Sequence, residues 1–263
     1  MFWSDLNEAE YDGNEDGSGV LKLKEGTYVM GIDVDGCKQL YVRKCYPELL
    51  NEMEKQRKSF NSHMLRTTIK GTPGIGKTYF LYYLLWILRM RQLSGNDKGK
   101  GKDEAVVADA DGSGAMEVDI SSIPPVTSES PIILHTKGTA YHFCGNGEVR
   151  KGQLNDFDEQ LQKWDCWYLV DGVEPDFNCR GVTIQATSPK RVKYSDFQKQ
   201  PNSVLYAMPV FTKNEIDACK MACFSGLEDD GVTDRFRRWG GVPRFVLEKT
   251  EKDKELDSAI TAA

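Results

Sequence analysis

The hydrophobic rhythm of the chain changes several times along its length. Residues 1 to 19 carry Asp5, Glu8, Glu10, Asp12, Glu15 and Asp16 without a lysine or arginine, a composition that predicts a solvated, disordered acidic tail. From Val20, VLKLKEGTYVM alternates around a glycine-containing turn and predicts a small hairpin, and QLYVR predicts a short strand. Pro47 suits the first turn of a helix, PELLNEMEKQRKSF, in which Leu49, Leu50 and Met53 make one apolar face. LRTTIK, residues 65 to 70, is short and β-branched, and it stops at Gly71: a strand. YFLYYLLWIL is apolar on every side, which predicts a helix buried between a sheet and further structure.

No periodic apolar face survives between Ser94 and Ser130, where Gly, Ser, Asp and Lys dominate. A structureless run of this length reads as a disordered surface insertion. Its Lys98, Lys100 and Lys102 suit a solvated linker or contacts to phosphates. PIILHT and AYHFC then predict strands, Leu154 to Trp164 a helix, and CWYLVDG, GVTIQATSP and LYAMPVF further strands. Thr212 and Glu215 fit a capping box opening a helix through Met221. TDRFRRWGGVPRFVLEK reads as a helix, a Gly-Gly-Val-Pro break and a second helix. This alternation predicts an α/β fold, a parallel central sheet with helices on both faces. The organisation expected is a tail (1–19), a hairpin and helix packed on the core (20–60), an α/β core (61–210) interrupted at 94–130, and a helical C-terminal unit (211–263).

Composition narrows the function classes. With 263 residues, one sizeable core is the default. The longest apolar stretch, Phe80 to Leu88, falls short of the ~20 residues a bilayer span needs, so no membrane role is expected. A net charge of -6 argues against whole-surface attraction to nucleic acid or anionic lipid, leaving only a local basic patch open. The seven cysteines form no C-x-x-C pair and read as reduced, packed thiols. Cys219 and Cys223 stand one helical turn apart with no completing ligands, which favours packing over metal binding. MFWSDLNEAEYD carries neither a basic nor an apolar leader region, so an intracellular protein is expected.

Chemistry enters at residues 71 to 78, GTPGIGKT, which satisfy G-x-x-x-x-G-K-[ST] between a predicted strand and a predicted helix. Gly71, Gly74 and Gly76 let the chain wrap without Cβ clashes, so that amides of Gly71, Thr72, Pro73 (which lacks an N–H), Gly74, Ile75, Gly76 and the following residues through Tyr79 surround a phosphate at the positive helix end. Lys77 would bridge the β- and γ-phosphates of a nucleotide, and Thr78 would offer its hydroxyl to Mg²⁺. Asp171, at the carboxyl end of WYLVD, is the candidate second metal ligand. The position after it is Gly172, where many ATPases carry a water-orienting glutamate, so Glu174 is either the displaced base or a surface-turn residue. Thr187, with Ser188 behind it, is either a γ-phosphate sensor or a strand-capping hydroxyl. Arg235, Arg237, Arg238 and Arg244 form either a phosphate-reaching cluster, with Arg244 released by Pro243, or a solvated helix face.

LYVRKCYPELL, GTPGIGKTYFLYYLL, WYLVDG, ATSP, YAMPVFTKNEI and RFRRWGGVPRF, in this order, resemble the NTPase module of Crinkler effectors and trypanosomal retrotransposon hot spot proteins. The resemblance spans roughly residues 20 to 250 outside the insertion. It implies a three-layer, additional-strand P-loop ATPase of AAA+/STAND-like type, with residues 211–263 as a lid. Lys77, Asp171, Glu174 and Arg244 would then be catalytic, and slow ATP hydrolysis would be coupled to the lid, to homo-oligomer formation or to a protein partner. In Crinklers a translocation header commonly precedes this module and a nuclease-like domain often follows. No LxLFLAK-type header and no D-(x)n-E-x-K constellation is found in this sequence, which puts host-cell delivery and DNA cleavage in doubt. A Crinkler-type effector would be secreted to a host cell and its nucleus. The competing expectations are a nucleotide-gated interaction switch with negligible hydrolysis and a nucleic-acid-binding protein.

Overall fold

The computed structural model describes residues 5–24, 39–94, 126–190 and 194–248. A small antiparallel sheet comes first, with β1 (Glu10–Gly13), β2 (Gly19–Lys22) and β3 (Gln39–Val42) in that order across it. It is followed by α1 (Cys45–Phe60), β4 (Leu65–Lys70), α2 (Lys77–Ser94), β5 (Ile132–Thr136), β6 (Thr139–Phe143) and β7 (Val149–Gly152). A short 3-10 turn leads into α3 (Asp158–Leu161), then β8 (Trp167–Asp171), β9 (Val182–Thr187), β10 (Ser203–Ala207), α4 (Lys213–Cys223) and α5 (Asp229–Trp239).

The central sheet has seven strands in the order β10-β4-β9-β8-β5-β6-β7. The five strands from β10 to β5 are parallel, and β6 and β7 are antiparallel additions. The expected parallel sheet is therefore mixed. The reason is local: Lys137 and Gly138 both take positive φ, which closes a two-residue hairpin and turns the chain straight back.

Alternation along the strands divides the core in two. Leu134, Leu169, Ile184 and Ile69 pack beneath α2, whose Phe80 to Leu88 are all buried. Ile133, Tyr168 and Val170 point to the other face, where Phe157 and Leu161 cover them. That cover is slight, because the expected helix from Leu154 to Trp164 is a 3-10 turn (Leu154–Phe157) and one α turn. A third cluster, around Phe211, Ile216, Val232 and Val246, holds α4 and α5 together.

The acidic tail is a second correction. From Asp5 onward the segment is built into the fold: Leu6 is 1% exposed, and β1 pairs with β2. Tyr11 lies against Trp86 with ring centroids 5.7 Å apart. Its acids are mostly exposed, and two of them pair with lysines, Asp12 with Lys22 and Glu8 with Lys24. Composition recorded that outer face, whereas Leu6, Ala9 and Tyr11 decide the burial. Of the hairpin expected from Val20, the first arm is β2, which pairs with β1 on one edge and β3 on the other, and the second arm lies outside the described residues. So does most of the predicted insertion, but Val126–Ser130 are described. Ser130 is fully buried, and its hydroxyl donates to the Asp165 carboxylate at 2.8 Å. Helix α1 begins two residues before Pro47, still within the first turn where a missing N–H costs nothing. Among the described residues no helix is long and apolar enough to cross a membrane.

Candidate functional site

Strand β4 delivers the chain to the carboxyl edge of the sheet at Lys70, directly beside Thr187 of β9. The loop that follows turns on Gly74 (φ +86°) and Gly76 (φ +90°), a region that L side chains rarely enter. Neither position has room for a side chain. A Cβ at Gly74 would come within 2.6 Å of Arg244 Cβ, and one at Gly76 within 2.5 Å of the Tyr46 hydroxyl. Ile75 is fully buried and locks the loop from below, against Gly71, while Thr72 and Pro73 are exposed. Tyr79 is half-buried, one turn into α2, with its ring edge-on to Tyr82.

Lys77 opens α2 and folds its ammonium back on the loop, donating to the carbonyl oxygens of Gly71 (2.7 Å) and Thr72 (2.9 Å). Burial pulls its pKa down to about 8; the nearby Asp171 carboxylate opposes the fall and the Arg244 cation adds to it. Thr78 donates its hydroxyl to Asp171 Oδ1 at 2.9 Å. Burial raises the Asp171 pKa, and the Thr78 hydrogen bond and the charges of Lys77 and Lys137 hold it back. Asp171 shares the α2 face of β8 with Leu169, which is why the carboxylate meets the first turn of that helix.

The other candidates divide. Thr187 is 1% exposed, and its hydroxyl has no hydrogen-bond partner among the described residues. The Ser188 hydroxyl behind it is likewise unpartnered there. Glu174 is exposed and its side chain makes no hydrogen bond or ion pair among the described residues. Gly172 before it takes φ +71°, and Gln185 Nε2 donates to the Val173 carbonyl at 3.0 Å, fixing the turn. Arg244 is exposed, with its stem against Gly74. Of the other three arginines, Arg237 is exposed and two are held within the C-terminal helices. Arg235 donates to the Val246 carbonyl at 2.8 Å, and Arg238 pairs with Asp234 at 2.8 Å.

Beside the loop lies a shallow, open cleft bounded by Gly74, Gly76, Tyr79, Tyr41, Phe211 and Phe224. It therefore runs between the glycine loop, the small sheet and the C-terminal helices. Cys219 and Cys223 also line it; neither belongs to a metal-ligand cluster among the described residues.

The chain is a distant homologue of Crinkler effector proteins. It is 26% identical over 231 residues to Crinkler effector protein 15 of Phytophthora infestans, covering 82% of this chain and 30% of that protein. With Crinkler effector protein 16 of the same organism the identity is 25% over 224 residues, covering 80% of this chain and 28% of the relative. The chain thus spans less than a third of the length of these curated relatives. No protein-family model matches it. No solved structure matches it either.

Two residues that carry weight in the site escaped the sequence reading. Tyr46 is fully buried, and its hydroxyl donates to the Gly76 carbonyl at 2.7 Å. Arg43 is 1% exposed and donates to the Ile75 carbonyl at 3.4 Å. The available signal was an arginine directly after the apolar alternation of QLYV, where an exposed strand end is the ordinary reading.

Proposed function

We propose that this chain binds a nucleoside triphosphate, ATP by its resemblance to the Crinkler-type module, together with Mg²⁺, and hydrolyses it slowly. Nucleotide state would then set the position of α4 and α5 or drive self-association. The observation that carries this reading is the hydrogen bond from Thr78 to Asp171, which joins residues 93 positions apart at the mouth of a glycine loop. Strand β9 stands between β4 and β8, the arrangement that the additional-strand class of P-loop fold requires. A hydroxyl and a carboxylate form an all-oxygen donor set, which suits a hard cation such as Mg²⁺. The cation, when bound, would neutralise charge on the phosphate oxygens.

The protein groups have separate tasks in this reading. Lys77 would exchange the Gly71 and Thr72 carbonyls for phosphate oxygens, and the anion would relieve the strain of its depressed pKa. Thr187 would gain, in the terminal phosphate, the partner its buried hydroxyl lacks. Arg244 would reach the same phosphate from within its own chain, since its stem already rests on Gly74. The aromatic walls of the cleft suit a planar base. Glu174 would have to swing inward to polarise water, which accounts for slow turnover.

That last feature also supports a second reading, a nucleotide-gated switch with negligible hydrolysis. A left-handed Gly172 where an acid would act and an exposed Glu174 both favour it. The word effector in the relatives' names suits a chain that works in a host cell, which we extend to this one as part of the proposal. A nucleic-acid role gains no such support, because Arg235 and Arg238 are engaged within the C-terminal helices.

The test begins with nucleotide released from freshly purified, heat-denatured protein and identified by chromatography. Phosphate release from ATP follows. Lys77→Ala is expected to abolish binding and turnover, and Glu174→Gln to keep ATP while losing turnover. Equal turnover by wild type and Glu174→Gln would remove Glu174 from the mechanism. Tight binding without turnover in the wild type would select the switch. Absence of bound or bindable nucleotide would end both readings.

A further inference from the structure

One buried side chain outside the phosphate loop and its acid joins three parts of the molecule. Arg43 sits between β3 and α1, and each of its five N–H groups has an acceptor. Nε and Nη2 donate to the two Glu215 carboxylate oxygens at 2.9 and 3.1 Å. Nη1 donates to the carbonyls of Pro209 (2.8 Å) and Ile75 (3.4 Å), and Nη2 also donates to Val210 (3.0 Å). The guanidinium lies 4.0 Å from the centre of the Phe211 ring. One rigid, planar cation therefore touches the glycine loop, the connector between β10 and α4, and the first turn of α4.

Glu215 is equally committed. Its Oε2 accepts from the Thr212 backbone N–H at 2.8 Å, and its own N–H donates to the Thr212 hydroxyl, so the residue that grips Arg43 also starts α4. Burial alone would lower the Arg43 pKa, but the Glu215 carboxylate turns the shift upward. The Glu215 carboxyl is held below its usual range by Arg43 and the Thr212 amide, although burial works against this. Such pairs add little net stability, since desolvation offsets the attraction; their better-attested use is to fix one arrangement of parts.

The five bonds are unequal. Four, of 2.8 to 3.1 Å, hold the guanidinium to Glu215 and the connector; the fifth and longest reaches the loop at Ile75. Ile75 lies between the two left-handed glycines of the loop, so a loop that turns its amides onto a phosphate must also turn the Ile75 carbonyl. We infer that Arg43 and Glu215 are positioning residues that transmit occupation of the glycine loop to α4 and α5. The inference rests on the nucleotide reading above and names the device by which that site is read out.

Hydrogen exchange on the full chain, with Mg²⁺ and either ADP or a non-hydrolysable ATP analogue, tests it. In the wild type, nucleotide is expected to slow exchange in residues 71–80 and, by about tenfold, in residues 213–239. In Arg43→Lys and in Glu215→Gln, residues 71–80 should still be slowed, while residues 213–239 should exchange alike with and without nucleotide. Lysine keeps the charge but cannot reach all five acceptors, and glutamine keeps the capping acceptor while losing the charge. If Arg43→Lys does not fold, Glu215→Gln decides alone. A folded variant that retains the wild-type response of 213–239 overturns the inference. So does a wild type slowed at 71–80 only. A wild type slowed nowhere by either nucleotide removes the nucleotide reading itself, and this inference with it.

Discussion

Lys77 donates to the carbonyl oxygen of Gly71 across 2.7 Å, so the one lysine of the glycine loop is folded back on the loop that presents it. Its pKa of about 8 gives nucleotide binding a pH signature. The ammonium is the form that attracts phosphate, and an anion bound beside it raises its pKa. Affinity is therefore expected to be flat below pH ~7 and to fall by roughly tenfold per unit above pH ~8, with proton uptake on binding there. Calorimetry at pH ~8.5 in buffers of different ionisation enthalpy measures that proton. Affinity that rises with pH would contradict the assignment. The nucleotide-free fold has its own signature. Below pH ~8 Lys77 is protonated whether folded or unfolded, and the burial cost is fully present; between ~8 and ~10.4 the unfolded chain holds more protons, so the Lys77 contribution to stability improves as pH rises.

Gly74→Ala should be more harmful than its position on a half-exposed loop suggests. The substitution places a side chain at φ +86° and a methyl within 2.6 Å of Arg244 Cβ. The backbone conformation alone costs roughly 1–2 kcal/mol, and the contact adds to it by pushing residues 242–244 off the loop. Loss of nucleotide affinity together with a lower melting temperature is the expected outcome. A variant with unchanged affinity would show that Arg244 need not rest where it does.

Thr78→Val removes a hydroxyl and keeps the shape. The half-buried Asp171 carboxylate then loses the hydrogen bond that holds its pKa down. A bond to a charged group is worth about 1.5–3 kcal/mol, so Mg²⁺-dependent nucleotide affinity should fall by roughly 10- to 100-fold while Mg²⁺-free affinity barely changes. Titration of Mg²⁺ at fixed nucleotide, followed by fluorescence, separates the two. The same Mg²⁺ dependence in variant and wild type would exclude the pair as the metal ligands.

Leu6→Ala tests the N-terminal correction. Leu6 is 1% exposed within the main core, and truncation of such a leucine costs about 2–5 kcal/mol. Urea unfolding is the measurement. A change under ~0.5 kcal/mol, the usual size for surface positions, would mean that the first residues are a solvated tail after all.

What could be read in the sequence was whatever depends on neighbours in the chain. GTPGIGKT announces itself by spacing, and WYLVD ends in its acid because four buried residues precede it. The capping box of Thr212 and Glu215 was legible for the same reason and is present. Arg43 was not, because its acceptors lie from 32 to 172 positions away and nothing local distinguishes it from a surface arginine. Strand β7 was missed because VRKG has no apolar alternation; it is made by pairing with β6 rather than by burial. The direction of β6 was hidden in a two-residue turn, and the order of the N-terminal segment in three apolar residues among six acids.

Helix α2 runs for 18 residues from Lys77, so Ser94 ends about 27 Å from the glycine loop, at the opposite rim of the sheet. The polypeptide leaves the described fold there and rejoins it at Val126, just before β5 starts upward again. A fluorophore on the exposed Ser94 side chain would therefore report from the rim opposite Lys77.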